Sequence, residues 1–345
     1  MSPVIRELEK RKLDFFILHT GQHYSEKLDF VFFNQLNLPY PKYNLGVGSG
    51  SHAEGTGKML MGIENILKKE SPTDILILGD TNTVLAGALA AVKLGIRVNH
   101  IEAGNRSYDR NMPEEINRIL ADHCSDLLFA PTGKARSILL SEGISADKIF
   151  VTGNTIVDAV YQNSEISRDN SCILEKLNLK LQQYFLLTLH RQENVDNRER
   201  FASILKGLEL LANEYEIPII YPIHPRSRKM MDLFQIHSEC LTVIEPVDYL
   251  DFLQLEKNAR LILTDSGGVQ EESCILRVPC VTLRDNTERP ETIEVGSNVL
   301  VGTNPEKILT AALHMTDIPR TWDNPFGDGN ASHHIIDVCK KKGTI

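Results

Sequence analysis

The sequence predicts an α/β protein made of two doubly wound, Rossmann-like domains. Three observations carry that reading. The chain has 345 residues, more than the roughly 250 at which single hydrophobic cores stop growing and chains divide. Short β-branched or aromatic runs alternate with longer segments of helical period, the pattern of a parallel sheet with crossover helices. The same rhythm then starts a second time in the second half of the chain.

The elements follow in order. "MSPVIRELEKRK" opens on a helix: Ser2 suits the N-cap, Pro3 the first helical position, and Val4, Ile5 and Leu8 one apolar face. "LDFFILHTG" (13–21), "DILILGDTN" (74–82), "RVNHIEAG" (97–104), "DLLFAPT" (126–132) and "KIFVTGN" (148–154) each pass from an apolar strand into a polar or glycine turn. After the polar stretch "QNSEISRDNSC" come "YFLLTLHR", "IPIIYPIHP", "LTVIEP", "RLILTDSGG", "CVTLRDN" and "NVLVGTN". These place a first domain over 1–165, a second over 166–320, and a segment over 321–345 that returns to the first domain. Ligands of open parallel sheets bind beyond the C-terminal strand ends, so the active site is expected in the cleft between the domains.

Composition narrows the function. Hydrophobic residues make up 42% and charged residues 24%, and no apolar run reaches the roughly 20 residues that a bilayer-spanning helix needs. A net charge of −9 argues against a nucleic-acid surface, though a local pocket for a small anion is compatible with it. The six cysteines include no C-x-x-C pair and no zinc-type spacing, and no signal-peptide pattern is visible. A cytoplasmic enzyme with reduced cysteines, no metal, no membrane and no nucleic-acid partner is the expectation.

Three carboxylates sit on consecutive strand-to-helix connections. Asp80 ends "LILGD" and taken alone reads as a helix cap. Glu102 ends "VNHIEAG", and Glu is a poor cap. Glu114 and Glu115 open the "PEEINRILADH" helix, where negative charge suits the helix dipole. Capping accounts for each singly but not for their convergence at one sheet edge. Clustered carboxylates can divide acid and base roles, which suits taking a proton from carbon and returning it.

The second domain offers an anion grip. In "ILTDSGGVQEE" (262–272) a strand leads through Ser266, Gly267 and Gly268 into a helix, a geometry whose backbone N–H groups can hold a phosphate. Glu271 and Glu272 follow, placed either to complement the dipole or to meet ribose hydroxyls. His190 and Arg191 of "LTLHRQEN", with Arg284 and Arg289 of "RDNTERPE", supply groups suited to a diphosphate.

In order and over nearly the whole chain, "TGQHY", "GDTNTVLAGALAA", "IEAGNRS", "MPEEINR", "GNTIVD", "HRQEN", "HPR", "TDSGGVQEE" and "RDNTERPE" resemble the non-hydrolysing UDP-N-acetylglucosamine 2-epimerases. The resemblance implies a GT-B type fold and a homodimer. It also implies interconversion of UDP-N-acetylglucosamine and UDP-N-acetylmannosamine without metal or nicotinamide cofactor, by elimination of UDP to 2-acetamidoglucal and re-addition. Carried over by motif, Asp80, Glu102 and Glu114 become the acid/base candidates. His190 and Arg191 attend the diphosphate or sugar, Ser266, Gly267 and Gly268 the phosphates, Glu272 the ribose, and Arg289 adds a supporting charge. Gln22, His23, Arg191 and His224 fall on positions that the family links with a second, activating substrate site.

Three features depart from the family pattern. Ser25 stands where Gln is common, Asn105 where "EAGLRS" has Leu, and the strand and "GTRPE"-type loop expected ahead of "MSPVIRELE" are not in the sequence. The rival functions are a hydrolysing epimerase, an epimerase of a related UDP-diacetamido sugar, and an inactive UDP-sugar-binding homologue. A glycosyltransferase shares the fold but does not need the three carboxylates.

Overall fold

The structure is a computed structural model that describes residues 1–21, 33–236 and 238–343. It divides into two compact units, one of residues 1–159 with 326–345 and the other of residues 160–325. No helix among the described residues is long and apolar enough to cross a membrane.

In the first unit, strands β1 (Leu18–His19) and β2 (Tyr43–Asn44) form a parallel pair. A separate parallel sheet runs β3 (Asp74–Leu78), β4 (Arg97–Ile101), β5 (Leu127–Ala130) and β6 (Ile149–Val151) in spatial order. The apolar run 13–21 yields only the two strand residues of β1, which pair with the equally short β2. Leu13 and Phe15 instead pack against a core of Val4, Leu8, Ile101 and Phe129. That core also takes Ile335, Ile336 and Cys339 from the helix Ala331–Lys341. Asp158, 1% exposed, fixes the start of this helix by accepting from Ala331 N at 3.1 Å, Ser332 N at 2.8 Å and Ser332 Oγ at 2.6 Å. The opening helix spans Ser2–Lys10 with Met1 at its cap and no side-chain cap bond, so Ser2 lies one residue inside the position expected for it.

In the second unit, six parallel strands are β7 (Phe185–Thr188), β8 (Ile219–Pro222), β9 (Leu241–Ile244), β10 (Leu261–Thr264), β11 (Cys280–Thr282) and β12 (Asn298–Leu300). Their spatial order is β12-β11-β10-β7-β8-β9. Side chains alternate across the sheet: Phe185 and Leu187 enter one core with Phe201, Tyr221 and Leu263, while Tyr184 and Leu186 enter another with Ile220, Ile262 and Leu255. Both faces are therefore buried, which is why the strands read as unbroken apolar runs. Chain order reverses between β7 and β10, and the connections leaving two such neighbours diverge to opposite faces. The crevice so formed is where open α/β sheets take their ligands.

Candidate functional site

At the strand ends of the first unit, Asp80 and Glu102 follow β3 and β4, which pair directly through Leu78 and Ile101. Asp80 caps nothing: the N-cap of the helix Asn82–Lys93 is Thr81, without a side-chain cap bond. The Asp80 carboxylate instead pairs with the Arg118 guanidinium, and its carbonyl accepts from Asn117 Nδ2 at 2.9 Å. Glu114 shares a face of the helix Pro113–Cys124 with Asn117 and Arg118, three and four residues on, the two residues that hold Asp80. It is exposed, whereas its neighbour Glu115 is 1% exposed and structural. Glu115 accepts from Ser107 N and Tyr108 N, both at 2.9 Å, and pairs with Arg118 at 2.7 Å.

Glu102 sits at φ +71°, a left-handed conformation that costs a non-glycine residue about 1–3 kcal/mol and is kept where surrounding bonds impose it. Those bonds are present on both sides. His100 is buried, with Nδ1 2.7 Å from Asp122 Oδ1 and Nε2 2.8 Å from the Gly79 carbonyl. Gly104 N donates to Asp122 Oδ2 at 3.2 Å, and Arg106 binds the same oxygen at 2.7 Å. Gly104, at φ +84°, must be glycine, since a Cβ there would lie 2.5 Å from the Ala135 carbonyl oxygen. Glu102 is also close to Gly79: its Oε2 would be 3.6 Å from a Cβ at that position.

In the second unit the loops after β7 and β10 meet at the reversal of strand order. Asp265, fully buried, ties them together. Its Oδ2 accepts from Arg191 N at 2.9 Å, its two oxygens share His190 N at 3.1 Å, and Asn194 Nδ2 donates at 3.2 Å. His190 Nδ1 lies 3.2 Å from the same carboxylate, and its ring is 5.6 Å from that of His224. Desolvation first, then the charges of His190 and Arg226, hold His224 below the usual histidine range.

Ser266 caps the helix Gly267–Ile275 without a side-chain bond, and a Cβ at Gly268 would find its nearest atom, Ser266 Oγ, only at 4.0 Å. A Cβ at Gly267 would lie 3.8 Å from Glu288 Oε2, so the space beside both glycines is open to within van der Waals contact, at the helix end where anions bind. Glu272, five residues on, accepts from Tyr249 Oη at 3.1 Å, while Glu271 pairs with Arg289 at 2.8 Å.

Asp80, Glu102 and Glu114 thus lie in one unit, the first two at the ends of neighbouring strands, and the loops that carry His190, Arg191, Ser266, Gly267 and Gly268 meet in the other. His224 joins the second group, and Glu272 and Arg289 lie on or against the same helix. Gln22 and His23 lie outside the described residues. Arg284 departs from its expected part in a diphosphate grip. Its side chain is 4% exposed and its donors go to Glu288 at 2.9 Å, Asn286 at 3.0 Å and Glu193 at 3.3 Å, so it orders the 284–289 loop. Arg284 first, against the burial that would raise it, holds the Glu288 carboxyl down to about 2. Sequence reasoning missed Asp265, Asp122 and the Asn117–Arg118 pair. Asp265 carries a visible signal, being the last residue before the Ser-Gly-Gly turn. Asp122 has none, because its partners are distant in the chain.

Two parallel α/β units, one with carboxylates at its strand ends and one with a glycine-opened helix at its switch point, place the molecule in the GT-B class of folds. Residues 6–340 match the family described as UDP-N-acetylglucosamine 2-epimerase. The UDP-N-acetylglucosamine 2-epimerase of Methanocaldococcus jannaschii is 56% identical over 98% of this chain and 94% of its own. A crystal structure of that enzyme in complex with UDP-GlcNAc and UDP superposes with a TM-score of 0.86, covering 99% of this chain and 95% of that one. The UDP-2,3-diacetamido-2,3-dideoxy-D-glucuronate 2-epimerase of Pseudomonas aeruginosa is 41% identical over 97% of this chain and 93% of its own. The chain belongs to the UDP-N-acetylglucosamine 2-epimerase family.

Proposed function

We propose that this protein interconverts UDP-N-acetylglucosamine and UDP-N-acetylmannosamine by eliminating UDP to 2-acetamidoglucal and adding it back. The observation that carries the reading is the 56% identity, over 98% of this chain, with an epimerase whose crystal structure holds UDP-GlcNAc and UDP. The chemistry asks for two things. The C2 proton has no adjacent carbonyl to acidify it, so departure of UDP from C1 must be assisted while a base takes the proton. The carboxylates Asp80, Glu102 and Glu114 supply the acid and base. Arg118 and Asn117 fix Asp80, and the left-handed backbone of Glu102 sets the direction in which its side chain leaves the strand end.

UDP is held by the second unit: diphosphate on the N–H groups of Ser266, Gly267 and Gly268 with His190 and Arg191, ribose on Glu272, and Arg289 as a neighbouring charge. Asp265 supports this by fixing the backbone of both loops. His224, packed against His190, belongs with the same group, and activation by a second substrate molecule through Gln22, His23 and His224 is part of the reading. The family resemblance also supports a homodimer that works in the cytoplasm and feeds surface polysaccharide synthesis without a cofactor. Light scattering after size exclusion checks the dimer.

The test is proton NMR of UDP-N-acetylglucosamine with the protein in deuterium oxide. Deuterium at C2 and appearance of the manno epimer are expected. Asp80→Asn, Glu102→Gln and Glu114→Gln should each slow turnover by at least about 100-fold while UDP still binds. No exchange at C2 would sink the assignment, and full activity in an amide variant would remove that residue from the acid/base set. The 41% identity to the diacetamido-glucuronate epimerase favours one second reading, a related UDP-diacetamido sugar as substrate. Competition between the two nucleotide sugars decides between them.

A further inference from the structure

Glu256, on the helix Tyr249–Asn258, has no part in the roles above, yet its carboxyl is fully buried. Neither of its oxygens receives a hydrogen bond from an N–H or hydroxyl group among the described residues. What it meets is the carboxyl of Glu272, reaching across from the helix Gly267–Ile275. Two buried carboxylates in contact cannot both be ionised; a single proton between them turns mutual repulsion into a short, charge-assisted hydrogen bond. Among the described residues Glu256 has only Glu272 to satisfy it. Glu272 also accepts from Tyr249 and is less deeply buried, so the proton belongs on Glu256 and the charge on Glu272.

The surroundings agree. Tyr184, one residue before β7, gives its hydroxyl to the Leu255 carbonyl at 2.7 Å, next to Glu256 in the chain, and not to the carboxyl pair. Asn163 bonds to Tyr249, and burial pushes the Cys280 thiol of β11, a neighbour of Glu256, up to about 12. Glu271, beside Glu272, is paired with Arg289. Burial raises both carboxyls; for Glu272, Tyr249 and the bond from Glu256 pull back toward ionisation, Glu271 opposes them, and the balance lies at about 7.

We propose that Glu256 is a positioning residue: it keeps its proton, donates it to Glu272, and thereby holds the Glu272 carboxylate ionised and aimed to accept from the ribose hydroxyls of a uridine nucleotide. The proposal rests on the reading of Glu272 as the ribose contact.

Calorimetric titration of UDP and of 2′,3′-dideoxy-UDP into the full chain, from about pH 5 to about pH 9, tests it. Wild type should prefer UDP by on the order of tenfold or more, the value of hydrogen bonds to a charged group. Its affinity should fall below about pH 7 with release of a proton on binding. Glu256→Gln, still a donor, should keep the preference and the pH midpoint. Glu256→Leu should move the midpoint up by about one pH unit and cut the preference about tenfold.

An unchanged Glu256→Leu profile, or a Glu256→Gln variant that behaves like it, overturns the proposal. Equal binding of both nucleotides by wild type removes the ribose role of Glu272, and the ribose part of the proposal with it. The shared proton is read separately by infrared difference spectroscopy at about pH 8. A protonated-carboxyl stretch should be present in wild type and absent from Glu256→Gln. Its absence from wild type overturns the proposal even where ribose preference holds, and this comparison decides the matter should Glu256→Leu fail to fold.

Discussion

Glu114 and Glu115 are adjacent in sequence and opposite in environment. Glu115 ties the 102–108 loop to the helix Pro113–Cys124 through two amides and Arg118, and Glu114 is exposed. Burial alone would raise the Glu115 carboxyl; the Ser107 and Tyr108 donors and Arg118 outweigh it and hold it below the usual range. Its folded value lies under its unfolded one, so its contribution is complete above about pH 4.5 and is lost as pH falls through the folded value. Glu115→Gln should cost about 1–3 kcal/mol at neutral pH and markedly less near about pH 3, measured by urea unfolding at both. An equal cost at both values would show that the charge is not what anchors the loop. From the sequence, "PEEINR" shows two glutamates and an arginine at helical spacing. Which glutamate is anchored depends on where the 102–108 loop folds back, and no local pattern states that.

The strands and the loops that leave them were the most legible elements, because a strand buried on both faces must be a continuous apolar run ending in a turn. "RLILTDSGG" and "YFLLTLHR" announce β10 and β7 and the polar residues beyond them. Their adjacency at the switch point is not written locally, since strand order arises from long-range pairing, and the role of Asp265 went unseen with it. Helix starts misled for a related reason. Asp80 resembles a cap by position but is drawn away by Arg118, thirty-eight residues later in the chain. The helix Ala331–Lys341 likewise receives its cap from a remote residue, Asp158. Asp158→Ala should cost about 2 kcal/mol and speed amide exchange through that helix first. Exchange that changes evenly over the whole chain would argue against a capping role.

Each unit has its own sheet and its own cores, so thermal unfolding is expected in two transitions rather than one. With UDP bound to residues 160–325, as proposed, saturation at about 100 times Kd should stabilise that transition by about 2.7 kcal/mol. Exchange mass spectrometry with and without UDP checks this: protection should centre on the loops after β7 and β10, and protection centred on the β3 and β4 strand ends would contradict it.

The first unit is assembled from two stretches of chain, with the second unit lying between them in sequence. On a ribosome the consequence is temporal. Val4, Leu8 and Phe129 are made early, yet the core they enter also needs Ile335, Ile336 and Cys339. The unit begun first is therefore finished last, after a wait on the order of ten seconds at ordinary elongation rates. The inserted unit can meanwhile close around its sheet. A released chain that ends at residue 330 should accordingly protect residues 160–325 from protease and leave the earlier residues open to cleavage.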